Sequence, residues 1–444
     1  LRFLTDYRTS TALRATAAAL LLGSTLLPAL RPVYAEPEAD VLADVADASV
    51  DASMVTTDAD LIAVSSDADL SAVVSANVDA PIVTARPKVP VPADRLAASN
   101  YGMNVFVWGN PDTTARDLQT LTYAGFGWQK SLFKWREMNP FPGNYNFNES
   151  DRVVRASNVN NLRVIARIDF QPYWSRDDQT YVNARPDNLQ WYADFVRVFA
   201  DRYKTGSPFG HVDAIEIWNE PNLKREWGES PSPESAANYV QMLKLSYQAI
   251  KSVDPSIQVV TAGLSPTGVY DSDSAPDDQF LQWMFDAGLS GNYDILGLHG
   301  NAQAPDATAD PGSNPTFPDG SFYFRRVEQL RAIQERNGDF NPVWLLEFGW
   351  TSDPIHEDRA WYAVSEDQKA TNILNAMQYA RANWPWMGVM TLWDMPDPTW
   401  GPDREEYWWG VSNPDGTPRP ALDQLIQLAQ TGTLPVAQAD PQGI

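Results

Sequence analysis

Two short stretches of this chain end an apolar run on an acid: Glu220 in AIEIWNEPN and Glu347 in VWLLEFGW. A lone carboxylate in such a place is most often an ion-pair or helix-cap partner. A pair of them is what breaking a glycosidic bond requires. One protonated carboxyl donates to the leaving oxygen, and one ionised carboxylate attacks the sugar or activates a water. A separation of ~5–5.5 Å goes with retention of configuration and ~6.5–9.5 Å with inversion, and spacing along the chain does not choose between them. Their neighbours suit a carbohydrate partner. Asn219 precedes Glu220, Pro221 stops the run, and Trp218, Trp350 and Trp393 are expected around the same rim. Aromatic faces stack on sugar rings, while amides and carboxylates bond the hydroxyls.

The elements that hold these residues follow a regular beat. Strands are expected at 101–108, 127–132, 163–170, 213–218, 257–262, 294–299, 343–347 and 389–393. Helical stretches are expected at 113–123, 149–159, 188–203, 235–253, 279–289, 322–337, 365–383 and 421–429. Eight strand–helix units imply an α/β fold, a (β/α)8 TIM barrel, over residues 98–430. The competing doubly wound sheet usually brings a Gly-rich phosphate turn after its first strand, and VFVWGNPDTT has none. In a barrel, chemistry gathers at the carboxyl ends of strands, where Lys130, Asp169, Glu220, His299, Glu347 and Trp393 fall. Alternation puts Ala214, Glu216, Trp218 and Glu220 on one face of strand four, and Val343, Leu345 and Glu347 on one face of strand seven. If both faces point inward, Glu220 and Glu347 meet across the mouth.

The runs IEIWNEPN, WLLEFGW and MTLWDMPD resemble the (β/α)8 retaining glycoside hydrolases of clan A. The stretch from Gly125 to Ile168 resembles that clan's second and third units, with family 39 (β-xylosidase-like) and family 5 closest in look, and GVSNPDGTPRPALDQL resembles its last helix. The resemblance covers Tyr101 to Ala429. It implies Glu220 as acid/base, Glu347 as nucleophile, Asn219 as the partner of the sugar 2-hydroxyl, and Trp393 as the floor of the reacting-sugar site. It implies no cofactor, and HEDRA around His356 lacks the second His of a zinc helix. Lys130 stands where the clan usually has Arg, supplying charge without a bidentate fork. His299 fits the pattern, whereas Asn301 stands where an aromatic is usual.

Other residues have two readings each. Asp169 and Asp394 either bind hydroxyls and tune a neighbour or are structural. Trp135, Trp174 and Trp350 are either sugar subsites or packing. Glu216 lies deeper than Glu220, and a buried ion pair with Arg167 is the expected use of it.

Composition bounds the rest. The 444 residues carry 57 acidic and 33 basic side chains, a formal charge of −24, no Cys and 17 Trp. That charge disfavours phosphate-backbone recognition, and the missing Cys excludes disulfides and thiolate chemistry. Every Trp falls between Trp108 and Trp409. Residues 1–35, with Arg2, Arg8 and Arg14 before an apolar run and Val33-Tyr34-Ala35 after it, read as a secretory signal cleaved after Ala35, hence a secreted protein. Gly23 and Pro28 interrupt the run, against a membrane span. Residues 36–97, rich in Asp, Ala and Val with no aromatic, read as a disordered acidic linker, and 431–444 as a tail. A non-catalytic carbohydrate-binding or scaffold barrel at the cell surface is the reading from another functional class.

Overall fold

Eight parallel strands in this computed structural model, which describes residues 100–434, form one sheet: β1 (Tyr101–Val105), β2 (Trp128–Lys134), β3 (Arg163–Asp169), β4 (Ala214–Ile217), β5 (Gln258–Thr261), β6 (Leu296–His299), β7 (Val343–Phe348) and β8 (Met387–Met395). The order is β5-β4-β3-β2-β1-β8-β7-β6. The seam between β5 and β6 is bridged at Val260 and Ile295, where Thr261 N–H donates to the Ile295 carbonyl at 3.1 Å. The sheet is thus a nearly closed barrel. The expected signal peptide at 1–35 and linker at 36–97 lie outside the described residues, as does most of the tail.

Around the sheet run α1 (Pro111–Tyr123), α2 (Asn148–Val159), α3 (Leu189–Tyr203), α4 (Pro233–Lys251), α5 (Asp277–Asp286), α6 (Arg326–Arg336), α7 (Glu366–Asn383) and α8 (Pro420–Thr431). Local chemistry starts and stops them. Pro opens α1, α4 and α8, where its missing N–H costs nothing. Ser232 and Ser235 form a reciprocal capping box on α4, worth about 1 kcal/mol. Gly432 ends α8 at φ 79°, a left-handed conformation that glycine adopts freely. Among the described residues no helix is long and apolar enough to cross a membrane.

Two apolar layers follow from strand alternation. Trp128, Ile165, Ala214, Val260, Ile295, Trp344, Leu346 and Val389 fill the barrel interior, with the Trp128 and Trp344 rings 5.0 Å apart edge to face. Gly102 of β1 makes room for them, since a Cβ there would meet the Trp128 Cβ at 2.8 Å. Val343, Leu345 and Phe348 of β7 belong instead to the outer layer packed under the helices. The expected inward face of β7 is therefore wrong for Val343 and Leu345. Pairing with β6 passes from Leu298–Leu345 to His299–Glu347, so β7 carries an extra residue there. This bulge turns Glu347 into the mouth although Leu346 before it already points inward.

Tyrosines tie the strand ends to the helices. Tyr192 of α3 donates to the Ile168 carbonyl at 2.6 Å. Tyr239 of α4 donates to the Ile217 carbonyl at 3.0 Å and accepts from Ala262 N–H at 2.7 Å. The carboxyl ends of β3, β4 and β5 are fixed this way just below the site.

Candidate active site

Glu220 and Glu347 arrive at the mouth by different routes. Beyond β4 the chain takes positive φ at Trp218 (73°) and Glu220 (37°), and Glu220 N–H donates to the Gly263 carbonyl at 3.1 Å. The turn at Trp218 breaks the strand's alternation. Its indole leaves the barrel, packs edge-on against Tyr192 and Trp227, and donates to the Glu226 carbonyl at 2.7 Å. Trp218 is thus packing, against the expectation of a rim aromatic. Glu347 comes by the β7 bulge.

His299 joins the two carboxylates. Its Nδ1 lies 3.0 Å from Glu220 Oε1 and its Nε2 lies 3.7 Å from Glu347 Oε1. Both acids therefore sit within reach of one imidazole ring, and all three side chains are buried. Gly263, beyond β5, permits this, because a Cβ there would overlap the His299 ring. Burial alone would lower the His299 pKa, but the Glu347 and Glu220 carboxylates outweigh it and raise it above 6.5, favouring imidazolium.

Cations crowd Glu347. Lys130 Nζ lies 3.0 Å from its Oε1 and 3.4 Å from Glu216 Oε2. Arg167 Nη1 stands 3.9 Å away, and Asn301 Nδ2 donates to Glu347 Oε2 at 3.4 Å. Burial opposes ionisation of Glu347, yet His299, Lys130 and Arg167 together hold its carboxyl below the ordinary value. Burial pushes Glu216 upward despite the pull of Lys130 and Arg167. Of the two, Glu347 is the one equipped to stay ionised. Glu216 pairs with Lys130 and also feels the charge of Arg167, its expected partner, which itself reaches Asp169 at 3.4 Å and Glu347.

The remaining expected residues divide. Asn219 is buried beside Glu220, and its side-chain carbonyl has no hydrogen-bond partner in the protein, so it is available to a hydroxyl. Trp393 lies two residues before the end of β8, lining a cavity with Asn104, Lys130 and Arg167. Asp169 is buried and accepts from Asn183 at 3.3 Å, one residue removed from Glu347 through Arg167. Trp350 is not a subsite. It is 1% exposed, its Nε1 donates to the Ala304 carbonyl at 2.9 Å, and it packs beside Phe324, because the chain beyond the β7 bulge turns it under the loops. Trp174 packs edge-on to Trp135 and Trp191 and donates to the Asn139 carbonyl at 2.9 Å, which holds it in the β2–β3 loop cluster. Asp394 is fully buried with neither oxygen hydrogen-bonded, and burial raises its pKa well above the usual range.

Two contacts escaped the sequence reading. Arg225 Nη2 lies 3.3 Å from Glu220 Oε2, so both oxygens of Glu220 face a nitrogen donor. A cation five residues after Glu220, in the loop leaving the same strand, was the available signal. Asn301 was visible only as a departure from the clan pattern, and its contact with Glu347 accounts for its place there.

No family model matches the chain. A β-xylosidase from Geobacillus stearothermophilus is 34% identical over 133 residues, 28% of this chain and 25% of that protein. The chain thus matches about a quarter of that curated relative's length. Among solved structures, a family 39 glycoside hydrolase from Bacteroides cellulosilyticus WH2 superposes with a TM-score of 0.58 at 19% identity, over 76% of this chain and 65% of that one. An endo-β-1,4-glucanase from Xanthomonas axonopodis pv. citri gives 0.51 at 17% identity, covering 75% and 99%. An exo-β-1,4-mannosidase from an Opitutaceae bacterium, strain TAV5, gives 0.51 at 19%, covering 76% and 60%. The solved structures it resembles include family 39 and family 5 glycoside hydrolases, and the barrel fold is what this chain shares with them.

Proposed function

We propose that this protein is a retaining glycoside hydrolase acting on a β-linked oligo- or polysaccharide. The observation that carries the reading is the pair Glu220 and Glu347 at the mouth, joined through His299, with Glu347 held ionised by His299, Lys130 and Arg167. Glu347 attacks the anomeric carbon while Glu220 gives its proton to the leaving oxygen, so the C–O bond breaks as the glycosyl-enzyme ester forms. Glu220, now ionised, takes a proton from an incoming water, whose oxygen displaces Glu347 with a second inversion. Asn219 bonds the 2-hydroxyl beside the reacting carbon, and Trp393 stacks under the ring. The pattern of residues 1–35 supports export, which makes an extracellular glycan the substrate class.

The test is a panel of aryl β-glycosides and β-linked polysaccharides, with anomeric configuration followed by NMR at early times. Glu220→Gln and Glu347→Gln are each expected to lose at least ~10³-fold in kcat with the fold intact. Full activity in both variants refutes the assignment, an inverted first product refutes retention, and polysaccharide binding without released sugar favours the non-catalytic barrel.

A further inference from the structure

A cavity of about 20 Å³ lies between the ends of β8, β1 and β2, beside the two cations, Lys130 and Arg167, that reach Glu347. Lys130, Arg167 and Trp393 line its inner side. A space of that order holds about one water or one hydroxyl-bearing carbon. Two loops close its outer side. Phe106, just after β1, meets Trp393 edge-on at 5.6 Å and Trp400 of the loop after β8 at 4.5 Å. Asn110 of the first loop donates its amide to Asp397 Oδ2 of the second at 2.8 Å, and Asp397 also lines the cavity.

The first loop is anchored on its other side as well. Trp108 Nε1 donates to Glu137 Oε2 at 2.7 Å, Gly109 N–H to Glu149 Oε1 at 2.7 Å, and Arg152 Nη2 to the Val107 carbonyl at 2.5 Å. A loop held from three directions makes a fixed wall rather than a swinging flap.

The direction of the substrate follows from the acid. Glu220 protonates the leaving oxygen, so the leaving group lies on its side, among Arg225, Gly263 and His299. The sugar attacked by Glu347 then points its far end the opposite way, into the walled cavity. Resting on the glycosidase reading above, we propose that Phe106, Asn110, Asp397 and Trp400 block this side, so that the enzyme removes single sugars from non-reducing ends, with Asp397 receiving the terminal hydroxyls.

The experiment uses β-linked xylo-, cello- and manno-oligosaccharides reduced at one end, each with its non-reducing terminus free or blocked, alongside aryl mono- and disaccharides. Stepwise loss of one sugar from free termini, with blocked chains cleaved at least ~10-fold more slowly, supports the wall, as does cleavage confined to aryl monosaccharides. Trp400→Ala removes the ring that backs Phe106 in the wall and is expected to narrow the free-to-blocked ratio by roughly 10-fold. Internal cuts by the wild type, or an unchanged ratio in a folded Trp400→Ala, overturn this proposal while leaving the glycosidase reading standing. Inactivity of the wild type on every aryl glycoside and oligosaccharide overturns both.

Discussion

Replacing Lys130 with Met tests the electrostatics of the site most directly, because the unbranched apolar stem is kept and the ammonium that donates to Glu347 is lost. Lys130 is 1% exposed and lies between Glu347 at 3.0 Å and Glu216 at 3.4 Å. At 3.0 Å and an effective dielectric near 20, the gross attraction to Glu347 is about 5 kcal/mol. Removing one partner of a buried pair costs about 3–5 kcal/mol, since the other charge stays behind. Glu216 softens that loss. Burial already raises its pKa, so without Lys130 it takes a proton and leaves a neutral carboxyl in the interior. The expected loss is therefore near the lower end, about 3 kcal/mol at neutral pH, read from urea unfolding midpoints.

The sign of the pH effect follows. The folded pKa of Glu347 is depressed, so its ionisation stabilises the fold above its ordinary value of 4.5, and that contribution is lost as pH falls through the lower folded value. Lys130→Met raises the Glu347 pKa, so the acid limb of kcat/KM on an aryl glycoside moves to higher pH, and kcat/KM at neutral pH drops by about 100-fold as the nucleophile loses its anchor. An unmoved acid limb together with a stability change under about 1 kcal/mol refutes the reasoning.

Three further outcomes are expected. The Glu347 and Glu220 carboxylates raise His299 above 6.5, so its stabilisation is full below about pH 6.5 and fades as pH rises through the higher folded value. The stability gap between wild type and His299→Gln, from urea unfolding at stepped pH, should shrink across that window; a flat gap contradicts it. Trp393→Ala removes a ring at the cavity and the partner of Phe106, and should raise KM on a short oligosaccharide by about 10–100-fold, with an unchanged KM excluding a stacking role. Asn301→Ala deletes one neutral donor to Glu347 and should lower kcat/KM by about 5–10-fold with little change in unfolding midpoint; a loss as large as that of Glu347→Gln would show that Asn301 does more.

The barrel was legible because its strands are short, mostly buried and punctuated. The expected 163–170 and 294–299 runs match β3 and β6 to within two residues, and α3 begins one residue beyond its Asn188 cap. The two glutamates that meet at His299 were legible for the same reason, as charges closing apolar runs. What was hidden is what alternation cannot express. The β7 bulge and the positive φ at Trp218 each change which way the next side chain points, and neither leaves a Gly or Pro behind as a mark. Hence Glu347 was placed correctly on a face wrongly assigned to Val343 and Leu345, and Trp218 and Trp350 were assigned to a rim from which the backbone turns them away. A Trp count alone does not separate packing from platform.

Lys130, expected at the end of its strand but third of seven in β2, looked like a weakened substitute for Arg, and the structure redistributes that duty instead of weakening it. Lys130 supplies a point charge at 3.0 Å, and Arg167 adds a second cation from the neighbouring strand at 3.9 Å. β2 and β3 pair parallel, with Lys130 opposite Ile165 and Arg167 two residues further along β3. Both side chains therefore reach the mouth from the same face at successive heights. Arg167 is also held against Asp169 at 3.4 Å, and Asp169 against Asn183, so the guanidinium is fixed by partners of its own. Charge on Glu347 thus depends on two strands and on His299, with Glu216 beneath as the counter-ion that keeps Lys130 in place. Arg167→Met should then shift the acid limb in the same direction as Lys130→Met but by less, because its contact is longer and Asp169 shares it; an equal or larger shift, measured on the same aryl glycoside, would make Arg167 the principal anchor and Lys130 the auxiliary.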